Sequence, residues 1–156
     1  MKLSVIAVGK LKMSFTQAGC DEYFTRLRRH FPHRVVEVKE PNRRGGGSVD
    51  RWRQQEAKAL MAAMPSPGLV VALDEGGHTW DSQGFARWLA DRRDEGVPEV
   101  AFIIGGPDGL DPSVRKRANK IWSLGRITLP HEMARLVLAE QLYRAGMILA
   151  GAPYHR

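Results

Sequence analysis

Two short stretches of the chain combine residues that would bring a ligand close to the backbone. The first is AFIIGGPDGL, residues 101–110, in which an apolar run stops at Gly105, Gly106 and Pro107. A strand that ends in this way predicts a loop with close backbone approach, because glycine carries no Cβ. The loop is not a Walker phosphate loop, since no Lys-Ser/Thr pair follows the glycines, and its spacing differs from G-x-G-x-x-G.

The second stretch is SLGRITLP, residues 123–130, which contains backbone groups and apolar side chains but few charges. Backbone hydrogen bonds together with apolar walls suit a flat heterocycle such as adenine. Two ordinary strand-to-helix turns would give the same pattern, so spacing alone leaves both interpretations open.

Composition limits the class of protein. A chain of 156 residues predicts a single domain, 1–156, large enough to bury a core. The formal net charge of +7 and a pI near 10.0 favour an anionic partner, with nucleic acid first. The single cysteine, Cys20, excludes an internal disulfide and a cysteine-based zinc cluster, and it suits a reducing cytosol. No apolar run approaches the ~20 residues that span a membrane.

Apolar strands alternate with helical patterns along the whole chain. The strands are expected at 3–8, 34–38, 69–73, 100–104 and 126–129. Strands that are apolar on both faces and alternate with helices predict an α/β fold, with a mostly parallel sheet and helices on both faces. Ligands bind outside the carboxyl ends of such strands. The candidate loops therefore follow Leu73 (an acidic turn, 74–77), follow Ile104, or lie around SLGRITLPH.

FIIGGPDGL, SLGRITLPHEMARLVLAEQLYRA and the terminal PYHR together resemble the SPOUT superfamily of knotted methyltransferases. More narrowly, they resemble the family that methylates N3 of a pseudouridine in 23S ribosomal RNA (the RlmH type). The similarity runs from MKLSVIAVGK to the last residue. It implies a C-terminal trefoil knot, a homodimer with the last helix in its interface, and the assembled 70S ribosome as the substrate. The second subunit would complete the active site.

The resemblance implies S-adenosyl-L-methionine as the cofactor and no metal. The glycines would let the backbone approach the adenosine without an intervening Cβ. The positions of this sequence that match the family's cofactor site are Leu73, Gly105, Gly106, Leu124, Gly125, Arg126, Ile127, Thr128 and Leu129.

The resemblance also places the catalytic residues, Arg144, Tyr154, His155 and Arg156, in the C-terminal motif. N3 of a uridine-type base is a weak acid, so methylation needs a base or a cation that stabilises the developing anion. His155 is the candidate base, and Arg144 and Arg156 would hold a phosphate or an anionic oxygen. Tyr154 would stack on the base or hydrogen-bond to it. A solvated tail is the alternative for the terminal His-Arg pair, and His131 would either approach the ligand or cap its helix.

Basic residues supply the predicted RNA contacts, although charged runs are also typical of solvated surfaces. They are Arg43, Arg44, Arg51, Arg53, Arg115, Lys116, Arg117 and Lys120, the last four in a basic helix that starts at Asp111-Pro112. Cys20 lies outside every predicted ligand loop, which argues against a C5 methyltransferase with a cysteine nucleophile.

Two other functions stay open. One is a SPOUT methyltransferase for another RNA position, such as a tRNA ribose or guanine N1, which the terminal PYHR disfavours. The other is a non-catalytic, ribosome-binding protein that retains the knot, which the intact Gly105-Gly106 pair and complete C-terminal motif disfavour. A Rossmann-type enzyme or nucleotide hydrolase would need a glycine fingerprint after the first strand, where this chain has VGKLK.

Overall fold

The computed structural model of the protein describes residues 1–155, and for His155 the backbone alone. The strands are β1 (Lys2–Val8), β2 (His33–Val38), β3 (Leu69–Thr79), β4 (Glu99–Ile104) and β5 (Lys120–Ser123). The helices are α1 (Ser14–Leu27), α2 (Val49–Ala63), α3 (Ser82–Asp94), α4 (Pro112–Arg117) and α5 (His131–Leu149), and a 3-10 turn follows at Pro153–His155. The predicted alternation of strands and helices is confirmed.

The five strands form one parallel sheet in the order β2-β1-β4-β3-β5. The inner strands are buried on both faces, and Phe102 of β4 lies between Val5 of β1 and Val71 of β3. Helices α1, α3 and α5 pack on one face and helices α2 and α4 on the other. The predicted α/β class with helices on both faces is confirmed, while the C-terminal knot stays a prediction.

Polar side chains fix the start of several helices. Ser48 accepts a hydrogen bond from the N–H of Arg51 at 3.2 Å at the start of α2. Asp111 accepts from the N–H of Ser113 at 2.8 Å at the start of α4, where Pro112 occupies the first helical position. Both satisfy amide groups that the first helical turn leaves without partners, as the sequence predicts.

The last strand lies earlier in the chain than predicted. Residues 126–129 form a loop, so the predicted strand there is wrong. The chain joins the sheet at Asn119, whose N–H donates to the Val70 carbonyl and whose side chain accepts from the Val70 N–H, both at 2.8 Å. The basic run therefore divides, because α4 ends at Arg117 and Lys120 begins β5 rather than continuing the helix.

The predicted acidic turn at 74–77 is part of β3, which corrects that boundary as well. The pairing of β3 with β5 shifts register between Leu73 and His78, so the acidic residues bulge from a strand that continues. At Gly77 a Cβ would lie 2.8 Å from the backbone of Ile121. The absence of a side chain at this position allows the two strands to approach after the bulge.

Candidate active site

A cavity of about 880 Å³ opens at the carboxyl ends of β4 and β5 and at the bulge of β3 that follows Leu73. This volume lies within the range of about 300–1,000 Å³ that is usual for small-molecule sites. The wall comes from the bulge of β3, the segments after β4 and β5, the first turn of α5, and Arg53 of α2. The position matches the rule that ligands bind outside the carboxyl ends of parallel strands.

The turn after β4 brings backbone groups to the cavity wall. Gly105 and Gly106 are buried, and Gly109 has a φ of 80°. A Cβ at Gly105 would lie 2.9 Å from Cδ2 of Leu110 and 3.1 Å from the Gly109 backbone. The N–H of Gly109 donates to the Gly106 carbonyl at 3.1 Å. The turn is too tight for a side chain at position 105, which explains the glycine there.

The loop after β5 is held at both ends by hydroxyl groups. Ser123 donates to the Gly125 carbonyl at 2.6 Å and accepts from the Gly125 N–H at 3.2 Å. Thr128 donates to a carboxylate oxygen of Glu75 at 3.0 Å, which ties this loop to β3. Between these contacts Ile127 lines the cavity with 73% of its surface exposed. A ligand that covers this side chain would gain hydrophobic free energy.

The cavity combines apolar walls with an acidic edge. Leu73, just before the bulge of β3, and Ile104, at the end of β4, contribute apolar surface. Asp74 and Glu75 supply carboxylates beside them, and Oδ2 of Asp74 lies 3.1 Å from Nη1 of Arg115. The arrangement suits a ligand that has both a flat apolar ring and a positively charged group.

The first turn of α5 also contributes to the wall. His131 lines the cavity, and burial lowers its pKa, so that its imidazole is neutral at pH 7. The adjacent Glu132 accepts from the N–H groups of Lys12 and Met13, at 3.1 and 3.0 Å, and from the Thr16 hydroxyl at 2.8 Å. These bonds fix the start of α5 against the loop after β1, and they place an uncharged histidine at the cavity.

The residues expected to bind the cofactor come together here from three distant parts of the chain. Those that line the cavity are Leu73, Gly105, Gly106, Leu124, Gly125, Ile127, Thr128 and Leu129. Arg126 is exposed and is not among the described residues that line it. The neighbouring positions of the same loop line the cavity, while the side chain of Arg126 is solvated.

Two of the expected catalytic residues form a separate group near the end of α5. Arg144 donates from Nε to Oε1 of Glu140 at 2.9 Å, and the Tyr154 hydroxyl donates to the same oxygen at 3.3 Å. The Arg144 guanidinium lies 4.8 Å from the Tyr154 ring centroid. Neither side chain is among the described residues that line the cavity. Arg156 and the side chain of His155 lie outside the described residues.

The electrostatic surroundings of this group fix its protonation. Burial raises the pKa of Tyr154 to about 12, so the phenol keeps its proton at neutral pH. It can therefore stack or donate a hydrogen bond but not act as a base. The hydrogen bond to Glu140 raises the pKa of Arg144, which stays a cation.

Charged residues outside the predicted cofactor positions also line the cavity. Arg53 and Arg115 are expected RNA contacts, yet both line the cavity. Asp74 and Glu75 match no metal-binding spacing, so their charge has no assigned partner in the sequence. The sequence signal for them is their position directly after the apolar run 69–73, just as Gly105 follows the apolar run that ends at Ile104.

Cys20 lies in the core of the α1, α3 and α5 face. It is 2% exposed, and burial raises the pKa of its thiol to about 11. It is not among the described residues that line the cavity. Separately, no helix within residues 1–155 is long and apolar enough to cross a membrane.

Comparison with known proteins identifies the family. The family model described as "Predicted SPOUT methyltransferase" matches residues 1–155. A protein from Gemmatimonas aurantiaca called "Ribosomal RNA large subunit methyltransferase H" is 46% identical over 156 residues, which is the whole of both chains. Proteins of the same name from Allorhizobium ampelinum and Rhodopseudomonas palustris are 42% and 43% identical, over all of this chain and 99% of theirs. The chain therefore belongs to the SPOUT methyltransferase family, as its motifs predict.

Proposed function

We propose that this protein transfers a methyl group from S-adenosylmethionine to N3 of a pseudouridine in 23S ribosomal RNA, with the assembled 70S ribosome as the substrate. The observation that supports this most is the cavity, in which the glycine turn, the loop after β5 and the bulge of β3 meet. It occurs in a chain whose relatives, over their full length, are named large-subunit ribosomal RNA methyltransferases. In this proposal residues 1–156 act as one domain in the cytoplasm.

The cavity residues fit S-adenosylmethionine. Leu73 and Leu129 would contact the adenine ring, and the backbone at Gly105 would approach it closely, because no Cβ is present there. The carboxylates of Asp74 and Glu75 would balance the positive charge of the cofactor. When bound, S-adenosylmethionine supplies an electrophilic methyl group on a sulfonium.

The residues of the C-terminal motif would prepare the attacking base. As the N3–carbon bond forms and the carbon–sulfur bond breaks, the electron pair goes to sulfur and the N3 proton must go to an acceptor. His155 would accept it, since a neutral imidazole has a suitable pKa range. Arg144 and Arg156 would stabilise the anionic oxygen of the base, and Tyr154 would stack on the base or donate a hydrogen bond.

A second copy of the chain would bring this motif to the cavity. The support is the separation described above, since Arg144 and Tyr154 do not line the cavity of their own chain within the described residues. We therefore propose a homodimer in which each cavity receives the motif of the partner. The fully charged Arg144 and the protonated Tyr154 suit contacts with an anionic base and with an aromatic ring.

Exposed basic side chains would hold the RNA by its phosphates. Five of the predicted contacts are solvent-exposed, which suits this role: Arg44, Arg51, Arg115, Lys116 and Arg117. Phosphate contacts give salt-dependent affinity and little sequence preference. Selection of one nucleotide would then depend on the shape of the assembled ribosome.

Transfer of a labelled methyl group tests the proposal. Ribosomes that lack the modification, separate subunits and naked 23S RNA are incubated with the protein and labelled S-adenosylmethionine, and the labelled nucleoside is identified by mass. We expect label on N3 of a pseudouridine, mainly with 70S ribosomes. Label on another nucleotide would support a different RNA position. Cofactor binding without any ribosomal label would indicate another RNA, and the absence of both would favour a binding protein.

Variants of the C-terminal motif test the assigned roles. His155→Ala is expected to lower turnover by about 10²-fold or more with unchanged cofactor affinity, because loss of a general base acts on the chemical step. Tyr154→Phe keeps the ring and removes the hydroxyl, so it separates stacking from hydrogen bonding. Wild-type turnover in His155→Ala would exclude His155 as the base.

A further inference from the structure

Glu56 of α2 is a buried carboxylate beside the turn that follows β4. Its side chain is 3% exposed, and a Cβ at Gly106 would lie 2.6 Å from its Oε1. Burial raises the pKa of Glu56, while the Gly106 N–H and Arg43 act in the opposite direction. Its Oε2 has no hydrogen-bond partner within residues 1–155. A carboxylate costs free energy in such surroundings, so stability alone does not explain it.

Arg43 bridges Glu56 and the turn. Its Nη2 lies 3.4 Å from Oε1 of Glu56, and its Nη1 lies 2.7 Å from Oδ2 of Asp108. Its guanidinium also stacks on Trp52, with Cζ 4.8 Å from the ring centroid. Burial is the main cause of the raised pKa of Glu56, and the like charge of Asp108 adds to it. The Arg43 guanidinium lies between the carboxylates of Glu56 and Asp108, and its attraction to both links α2 to the turn.

The bridge attaches the part of the turn that the core does not hold. Leu110 anchors the end of the turn in the core between the sheet and helices α2 and α4. Pro107 and Gly109 are exposed, and Asp108 between them is held by Arg43. The same turn forms the cavity wall at Gly105 and Gly106. Asp108 also lines the cavity, whereas Arg43 and Glu56 are not among the described residues that do, so the position of this wall depends on side chains behind it.

We propose that Arg43 and Glu56 are positioning residues for cofactor binding. They hold the turn at residues 105–110 against α2, and this places its backbone for S-adenosylmethionine. Arg43 thus acts on the cofactor site rather than on RNA, in contrast to its exposed neighbour Arg44. The identity of the ligand rests on the proposed function.

Calorimetric titration with S-adenosylmethionine tests the inference in wild type, Arg43→Ala and Arg43→Lys, with Tm measured for each. We expect Arg43→Ala to bind about tenfold more weakly, because small displacements of a binding wall have large effects. Arg43→Lys should recover part of the affinity, since one ammonium cannot hold two carboxylates as a planar guanidinium does. In the methylation assay KM for S-adenosylmethionine should rise while kcat at saturation stays unchanged.

Two further variants separate positioning from other roles. Arg44→Ala, at the adjacent exposed position, should keep wild-type affinity for S-adenosylmethionine and show a weaker salt dependence of binding to ribosomal RNA. Asp108→Asn keeps the size of the side chain and removes its charge, so it tests the bridge even if Arg43→Ala does not fold. It should weaken cofactor binding less than Arg43→Ala does.

The outcomes distinguish this inference from the proposed function. A folded Arg43→Ala or Asp108→Asn variant with a lower Tm but wild-type cofactor affinity would show a structural role only and overturn the inference. A wild-type protein that does not bind S-adenosylmethionine would overturn it as well. Wild type that binds the cofactor but does not methylate ribosomal RNA would contradict the proposed function alone, because differences in cofactor affinity between variants would still support positioning.

Discussion

The two ends of β4 carry ionic networks of similar composition in very different surroundings. At the amino end, Glu99 accepts hydrogen bonds from Ser4 at 2.5 Å and Arg34 at 3.0 Å, and Arg34 also donates to Ser4 at 2.8 Å. At the carboxyl end, Glu56 has Arg43 at 3.4 Å and the Gly106 backbone, beside an open cavity. The Glu99 carboxylate accepts hydrogen bonds from two side chains, whereas Oε2 of Glu56 has no hydrogen-bond partner within the described residues.

The pKa values of the two carboxylates shift in opposite directions. Burial raises the pKa of Glu99, but the hydrogen bonds from Ser4 and Arg34 outweigh it and lower the pKa overall. For Glu56 burial dominates, and its pKa is raised. Perturbed groups of the second kind cluster at functional sites. The comparison teaches that the ionised Glu99 stabilises the fold at the amino end of β4, whereas the ionised Glu56 lowers its stability at the carboxyl end, beside the cavity.

The largest effect is expected from a side chain in the tight turn. Gly105→Ala should lower the free energy of unfolding by about 3 kcal/mol, because the Cβ would meet Leu110 and the Gly109 backbone. It should also weaken cofactor binding. The matched control is Gly45→Ala, since a Cβ at Gly45 meets nothing within 4 Å. Equal denaturation midpoints for the two variants would show that the turn does not need glycine.

An intermediate effect is expected at the amino end of β4. Glu99→Ala should lower the free energy of unfolding by about 2 kcal/mol, because it leaves Ser4 and Arg34 without their acceptor. Cofactor affinity, measured by calorimetry, should stay at the wild-type value. If Glu99→Ala lost as much affinity for S-adenosylmethionine as Arg43→Ala, the two ends of β4 would not differ in their effect on cofactor binding.

The smallest expected effect is a difference in how Glu99 and Glu56 make the free energy of unfolding depend on pH. The prediction concerns the sign of each dependence. The folded pKa of Glu99 lies below 4.5, so its stabilisation is present above pH 4.5 and is lost as the pH falls through the folded pKa. The folded pKa of Glu56 lies above 4.5, so its contribution is present below pH 4.5 and is lost as the pH rises through the folded pKa.

Urea unfolding of two isosteric variants measures this difference across acidic pH. Relative to Glu99→Gln, wild type should lose stability as the pH falls below 4.5. Relative to Glu56→Gln, wild type should lose stability as the pH rises above 4.5. Slopes of the same sign in both comparisons would mean that the two networks have the same electrostatic character.

Local patterns were sufficient to predict the order of the elements and the position of the cavity. The apolar run that ends at Gly105 is visible in the sequence, and the carboxyl ends of parallel strands must lie at one edge. The start of β5 could not be read in this way, because it depends on the pairing of Asn119 with Val70, far away in the chain. In the sequence alone, Lys120 continues the basic pattern of Arg115, Lys116 and Arg117 and is therefore predicted to be helical.

The ion pairs of Arg43 could not be predicted from the sequence for a related reason. Its neighbours in sequence are Arg44 and three glycines, which indicate a solvated loop. Its partners, Glu56 and Asp108, come from α2 and from the turn after β4. Contacts between residues so far apart in sequence leave no periodic signal. The RNA contact of Arg43 stays a prediction, while its two carboxylate partners become visible only in the fold.

We expect the native protein to react very slowly with thiol reagents, because the thiolate is the reactive form, and in Cys20 burial both shields the sulfur and disfavours the thiolate. A fluorophore attached to a cysteine introduced at residue 44 would therefore label one position cleanly. The same inertness gives Cys20 a second use. Because the thiol becomes accessible only when helix α1 separates from the core, the rate at which a thiol reagent modifies Cys20 measures how often that opening occurs.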